Sequence, residues 1–182
     1  WAGVWDLTMN CRNTRQIAIF ASMMTRLRLD VEAPVLGPEV REVWWSDAEK
    51  HDVELARALR EFAGALGAES VAVLTPDVPT PERLSEIGRL SGVPLSSLER
   101  AGGGAIVASI EDFKGLEADA VLVGGVSRLD VKRLQRLFYV GCTRARVQLA
   151  VFVHDDLRQH YLDGAAWLGA ATARRPDTDT YV

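Results

Sequence analysis

Two short stretches of this chain hold the residue types that suit phosphate chemistry. In the first, Lys114, Gly115 and Glu117 stand just ahead of the apolar run Ala120-Val121-Leu122-Val123. In the second, Arg144 and Arg146 follow a segment in which Leu134, Leu137, Phe138 and Gly141 recur at helical spacing, and Val147 to Val153 is again apolar. A guanidinium is planar and permanently charged, with donors arranged as a fork that matches a phosphate. Strand-end loops are where open α/β sheets take ligands. The same two arginines would serve equally well as caps on a helix C-terminus, where cations complement the dipole.

Such residues need elements to hold them, and the periodicity supplies candidates. Four apolar residues at 120–123 suit a buried parallel strand. Val4 to Met9 reads as a first strand, followed by a turn over 10–13. Thr14 is placed to cap a helix carrying Ile17, Phe20, Ala21, Met24 and Leu27 on one face. Pro34 and Gly37-Pro38 break the chain, and Arg41 to Trp45 reads as a short strand. A helix begins at Ser46 or Asp47, carries Val53, Leu55, Leu59, Phe62 and Leu66, and closes at Gly67. Ser70 to Thr75 is a strand, Glu82 to Leu90 a short helix, and Gly92 to Gly104 mostly turn. A terminal helix spans His154 to Trp167, and a polar tail follows. Strands alternating with helices predict an α/β fold with a doubly wound, mostly parallel sheet. The domain is drawn over 1–170, with 171–182 as the tail.

Three segments together resemble a known family. KGLE ahead of an apolar strand and LFYVGCTRAR after a helix are similar to the fifth and sixth conserved motifs of UvrD/Rep-type superfamily I helicases. Leu7-Thr8-Met9-Asn10-Cys11-Arg12-Asn13-Thr14 resembles that family's L-x-x-N-Y-R-S-T motif, and the three occur in the family's order. The resemblance implies the second, C-terminal RecA-like motor domain of an ATP-dependent DNA helicase. It implies a compact type, because only 76–104 lies where larger members carry an inserted helical subdomain.

By position, the resemblance makes Arg144 the arginine finger and Arg12 a second phosphate contact. Glu117 would accept hydrogen bonds from the ribose, and Lys114 and Gly115 would lie on the nucleotide side. An arginine finger stabilises a loose phosphoryl-transfer state and is worth about three to five powers of ten in rate. Arg12 and Glu117 also admit plain roles, as a surface residue at a helix entry and a solvated turn carboxylate. The motor reading requires Arg12 and Arg144 to converge on one rim of the sheet. ATP with Mg²⁺ would be shared with an N-terminal motor domain that supplies the P-loop and the magnesium ligands. Single-stranded DNA is the implied further partner. Two departures stand out. Cys11 replaces the Tyr whose ring stacks on the base, and Glu111 replaces a His that contacts DNA, where a carboxylate repels phosphate.

Composition bounds these readings. The chain has 182 residues, enough for one domain with a real core, since a domain of about 150 residues buries roughly 70% of its chain surface. A net charge of -4 argues against binding nucleic acid by bulk electrostatics, though not against a local basic groove. Cys11 and Cys142 are too few for a disulfide framework or a zinc site and fit reduced thiols in the cytoplasm. No apolar run reaches about 18 residues, so no membrane span is expected. A start at Trp1 reads as a piece of something longer. There is no G-x-x-x-x-G-K-[ST], because the run 102–104 lacks the Lys and hydroxyl, and a turn is expected there. His51, His154 and His160 lack metal spacing and read as surface residues. Trp44-Trp45 has no basic residue interleaved, so one or both are expected to sit in the core. Two rivals remain: a helicase-derived interaction module that drives no reaction, and a free-standing α/β domain binding a small phosphorylated ligand through the glycine run.

Overall fold

The computed structural model describes residues 13–27, 35–99, 102–127 and 131–173. The expected first strand, Cys11 and Arg12 lie outside the described residues, as does the tail beyond Ala173.

Among the described residues six strands form one sheet: β1 (Arg41–Trp45), β2 (Val71–Thr75), β3 (Leu95–Ser96), β4 (Ala105–Ser109), β5 (Ala118–Val126) and β6 (Ala145–His154). Their order is β1-β6-β5-β2-β4-β3, and every pairing is parallel. Five helices connect them: α1 (Arg15–Thr25), α2 (Ala48–Leu66), α3 (Pro81–Ser91), α4 (Val131–Cys142) and α5 (Arg158–Ala173). Parallel strands need a crossover after each strand, and those crossovers cover both faces of the sheet. The central strands are therefore apolar on both sides, as Val71 to Leu74 and Ala120 to Val123 show.

One core packs α1, α4 and α5 on the sheet through Ile17, Phe20, Met24, Leu137 and Phe138, with Tyr161 and Leu168 packed against it. The other packs α2 and α3 on the opposite face through Leu55, Leu59, Ile87 and Phe152. The doubly wound parallel sheet is as expected. The connection from β4 to β5 has no full helix. Residues 110–117 cross one face as a run of turns, in which Phe113 N–H donates to Ser109 O (3.1 Å) and Leu116 N–H to Phe113 O (3.1 Å). Phe113, only 1% exposed, pins that crossover into the α1/α4/α5 core.

Several local expectations need amendment. Val53 is exposed rather than on the buried stripe of α2, because it lies two residues from the inward line of His51, Leu55 and Leu59. Leu27 is exposed because α1 ends at Thr25 and Arg26 adopts a left-handed conformation (φ 55°), turning the chain off the helix face. The terminal helix starts at Arg158, after a short 3₁₀ turn over Asp155–Leu157. The glycine run is a tight corner. At Gly104 a Cβ would lie 2.5 Å from the Pro94 carbonyl oxygen, so the close approach demands glycine.

His51 is not a surface residue. It is buried, Gly125 N–H donates to its Nε2 (2.9 Å), and its Nδ1 is 2.7 Å from Asp52 Oδ1. Nε2 is thus the acceptor, so the proton sits on Nδ1 and the ring is neutral. Arg83 closes the network by gripping both oxygens of Asp52. A satisfied core histidine leaves no spacing signature in the sequence. Trp44 and Trp45 are both half-buried, Trp44 edge-on to Tyr161 with Arg158 4.5 Å above its ring.

Candidate functional site at the amino rim of the sheet

The three motif segments meet where β5 and β6 begin. Ala118 and Ala145 are register partners there, and Ala118 N–H donates to Arg144 O (3.1 Å). Asn13, at the entry to α1, sends its side-chain amide to the carbonyls on either side of Arg144, Thr143 O at 3.1 Å and Ala145 O at 2.6 Å. Residues 130 and more apart in sequence are thereby fastened to one corner. Because all six described strands are parallel, this corner belongs to the amino-terminal rim. Open α/β sheets bind their own ligands at the opposite, carboxyl-terminal rim.

Arg144 is only 9% exposed. Its Nε donates to Val140 O in the last turn of α4 (3.1 Å), one terminal nitrogen reaches Leu116 O (3.4 Å) and the other Thr143 Oγ1 (3.2 Å). It therefore ties the end of α4 to the KGLE segment, which is the capping role that its position also allowed. Arg146 points elsewhere. It is exposed, 3.3 Å from Asp119 across the β5–β6 pair, and it lines a cleft. Exposed pairs of this kind hold weakly.

That cleft has a volume of about 560 Å³. Asn13 and Thr14 line it from the start of α1, Glu117 from the KGLE segment, and Arg146 and Val147 from β6. Residues 35–38 form the remaining wall, held to the first turn of α1 by two bonds: Arg15 N–H to Val35 O (2.9 Å) and Gly37 N–H to Gln16 Oε1 (2.8 Å). Gly37 lies so close that a Cβ on it would stand 2.3 Å from Thr14 Cγ2. Thr14 does occupy the N-cap position of α1, with extended backbone (φ -66°, ψ 158°), yet its side chain makes no capping bond.

Of the expected site residues, Glu117 lines the cleft, and Arg144 sits at the corner beside it, engaged with carbonyls. Lys114 and Gly115 are exposed on the crossover and are not among the lining residues. Gly115 is required there for another reason, its left-handed backbone (φ 90°). Arg12 lies outside the described residues, but its neighbour Asn13 is bonded to both sides of Arg144. Glu111 is exposed and pairs with Arg136 at 3.3 Å. Among the described residues no group of three or more His, Cys, Asp or Glu stands close enough to hold a metal ion. The wall at 35–38 and the inward hydroxyl of Thr14 had no signal in the sequence beyond a chain break and a cap.

The architecture has a counterpart among solved structures. The chain is similar to the C-terminal domain of a possible DNA helicase from Lactobacillus plantarum WCFS1, with TM-score 0.58 and 19% identity, over 79% of this chain and 86% of that one. The fold is RecA-like α/β. At that identity the likeness speaks for the fold alone. No protein-family model and no curated protein matches the chain. No helix among the described residues is long and apolar enough to cross a membrane.

Proposed function

We propose that this chain is the second motor domain of a UvrD-like, superfamily I, ATP-dependent DNA helicase or translocase in the cytoplasm. One observation carries the reading: Asn13, Glu117 and Arg144, from three separate motif segments, gather at one corner of the amino rim. A face at that rim suits completing a nucleotide site that another domain cradles. The structural neighbour, a possible helicase's C-terminal domain, agrees with this reading.

ATP, when bound, brings the phosphoryl group to be transferred. This chain's part is to bind and to place charge. Glu117 accepts hydrogen bonds from ribose hydroxyls, while Arg144 and Arg12 donate to phosphate oxygens as charge spreads over them. Lys114 and Gly115 flank Glu117 on the nucleotide side. Arg144 now donates to two neutral carbonyls and a hydroxyl. A phosphate is a charged acceptor and binds a guanidinium more strongly than a neutral carbonyl does. The P-loop and the Mg²⁺ ligands belong to the N-terminal motor domain, and opening and closing against it moves single-stranded DNA. At the DNA side the Arg136–Glu111 pair neutralises the carboxylate that replaces the family's His.

The experiment is ATP turnover by the natural polypeptide that contains this chain and its partner domain. Arg144→Ala lowers turnover by about three powers of ten or more while ATP binding survives. Unchanged turnover would instead support the second reading, an interaction module that drives no reaction. The capping bonds of Arg144 favour that reading, because they give the arginine a purely structural use.

A further inference from the structure

The two outer strands of the sheet end it in different ways. β3 is two residues long, and the tight corner at Gly104 lies beside it, so that edge offers little to pair with. β1 is five residues long and runs in unbroken register with β6, from Arg41 opposite Ala150 to Trp45 opposite His154. No strand lies on its outer side among the described residues. An outer strand presents a row of backbone N–H and C=O groups, which proteins usually blunt with Pro, Lys or a bulge. β1 has none of these. Its two charged side chains are turned onto their own chain: Arg41 pairs with Glu61 at 2.5 Å, and Glu42 accepts from Tyr161 Oη at 2.9 Å. Beside β1 runs a groove of about 590 Å³. Val43, Trp44 and Trp45 line it from the strand and Val53 from α2. Val53 is 52% exposed and adds nothing to the buried stripe of its helix. The polar lining is acidic, with Asp47, Glu49 and Glu54 set against Lys50 alone. Such a rim repels nucleic acid and attracts Lys and Arg.

We propose that β1 and its groove take up an extended segment of a partner protein as a seventh strand, a segment of alternating apolar residues flanked by Lys or Arg. Backbone pairing along β1 supplies affinity, and the groove supplies the choice of side chains. An apolar residue of the added strand covers Val43 and Val53, and its basic flanks meet Asp47 and Glu49. A second copy of this chain fits the edge less well. Antiparallel pairing of two β1 strands about Val43 sets Glu39 of one copy opposite Asp47 of the other at both ends, and like charges directly opposite are unfavourable. The proposal concerns the edge of the sheet and does not depend on the motor reading.

The test uses the natural polypeptide containing this chain and a fluorescent peptide of sequence Lys-Val-Thr-Val-Thr-Val-Lys. Two comparison peptides carry Glu in place of both Lys, or Pro in place of the central Val. The Lys peptide should saturate below about 1 mM, and each comparison peptide should bind at least about tenfold more weakly. At saturation, backbone amide exchange within 41–45 should slow. Glu49→Lys, in the groove, should weaken the Lys peptide about fivefold, whereas Glu69→Lys, the same change of charge in the turn after α2, should leave it unchanged. Val53→Asn should weaken it several-fold with an unmoved thermal midpoint, because that side chain is exposed. Failure of the Lys peptide to saturate overturns the proposal. Equal losses from Glu49→Lys and Glu69→Lys would reveal general attraction to an acidic protein, and slowed amides only outside 41–45 would put the peptide elsewhere. Either result also overturns it. So does a dimer in sedimentation that the Lys peptide disperses, which would give the edge to a second copy.

Discussion

Asn13 shows how much one side chain can organise. Its amide bonds two buried carbonyls on a corner reached only after more than a hundred further residues. Removing it leaves both carbonyls without those donors. Asn13→Ala should lower unfolding free energy by about 1–3 kcal/mol, read as a reduced urea midpoint with unchanged slope. Asn13→Asp should be worse, because a carboxylate would then face two carbonyl oxygens. The two arginines of TRAR make the complementary point. They are separated by a single alanine and equal in sequence terms, yet Arg144 is folded onto α4 while Arg146 stands in the cleft. Which of them meets solvent depends on where α4 ends, at Cys142, and where β6 begins, at Ala145.

Among the elements, α2, α3 and β5 are joined by the His51–Asp52–Arg83 network, and its protonation should be visible in stability. Burial holds the His51 imidazole below its ordinary value of 6.5, only partly countered by the Asp52 carboxylate. Burial alone would raise Asp52, but hydrogen bonds from Arg83 and His51 outweigh it and hold that carboxyl below 3.8. Trp45 and Phe152 are the other neighbours of the His51 ring, edge-on at 4.8 and 5.5 Å, and neither titrates. The sign follows from linkage. Around pH 6 the unfolded chain binds more protons at His51 than the folded one, so stability rises with pH. The contribution of His51 is complete above pH 6.5 and is lost as pH falls below it, whereas that of Asp52 persists until pH drops below 3.8. Urea unfolding at pH 7.5 and at about pH 5 should therefore show a loss at the lower pH that His51→Gln reduces. An unchanged pH slope in that variant would assign the loss to other groups.

Across the whole molecule, two cores lie on opposite faces of one sheet and share its strands. Val121 and Val123 belong to one core, and Ala120 and Leu122 of the same strand to the other. A strand cannot melt on one face only, so the cores should unfold together. Leu59→Ala, in the α2/α3 core, and Phe138→Ala, in the α1/α4 core, should each cost about 2–5 kcal/mol. Both should leave a single transition, with tryptophan fluorescence and far-UV circular dichroism coinciding. Separate transitions in either variant would mean that the faces fold independently.

The fold was legible because it depends on local patterns. Runs buried on two faces mark the strands at 71–75 and 120–123, Asp47 caps α2, and Gly67 ends it in a backbone conformation open to glycine (φ 86°). The order of the KGLE and TRAR segments along the chain was legible too. Their meeting point was not, because it depends on strand order. β6 inserts between β1 and β5, and the amino ends of β5 and β6 then fall side by side against Asn13. The neutral, buried His51 and the buried hydroxyl of Thr14, which has no hydrogen-bond partner among the described residues, belong to the same class. Residue type and spacing determine which elements form and where they stop. Which side chains end up sharing a cleft, and which polar atoms are left over there, is decided by contacts between residues far apart in the chain.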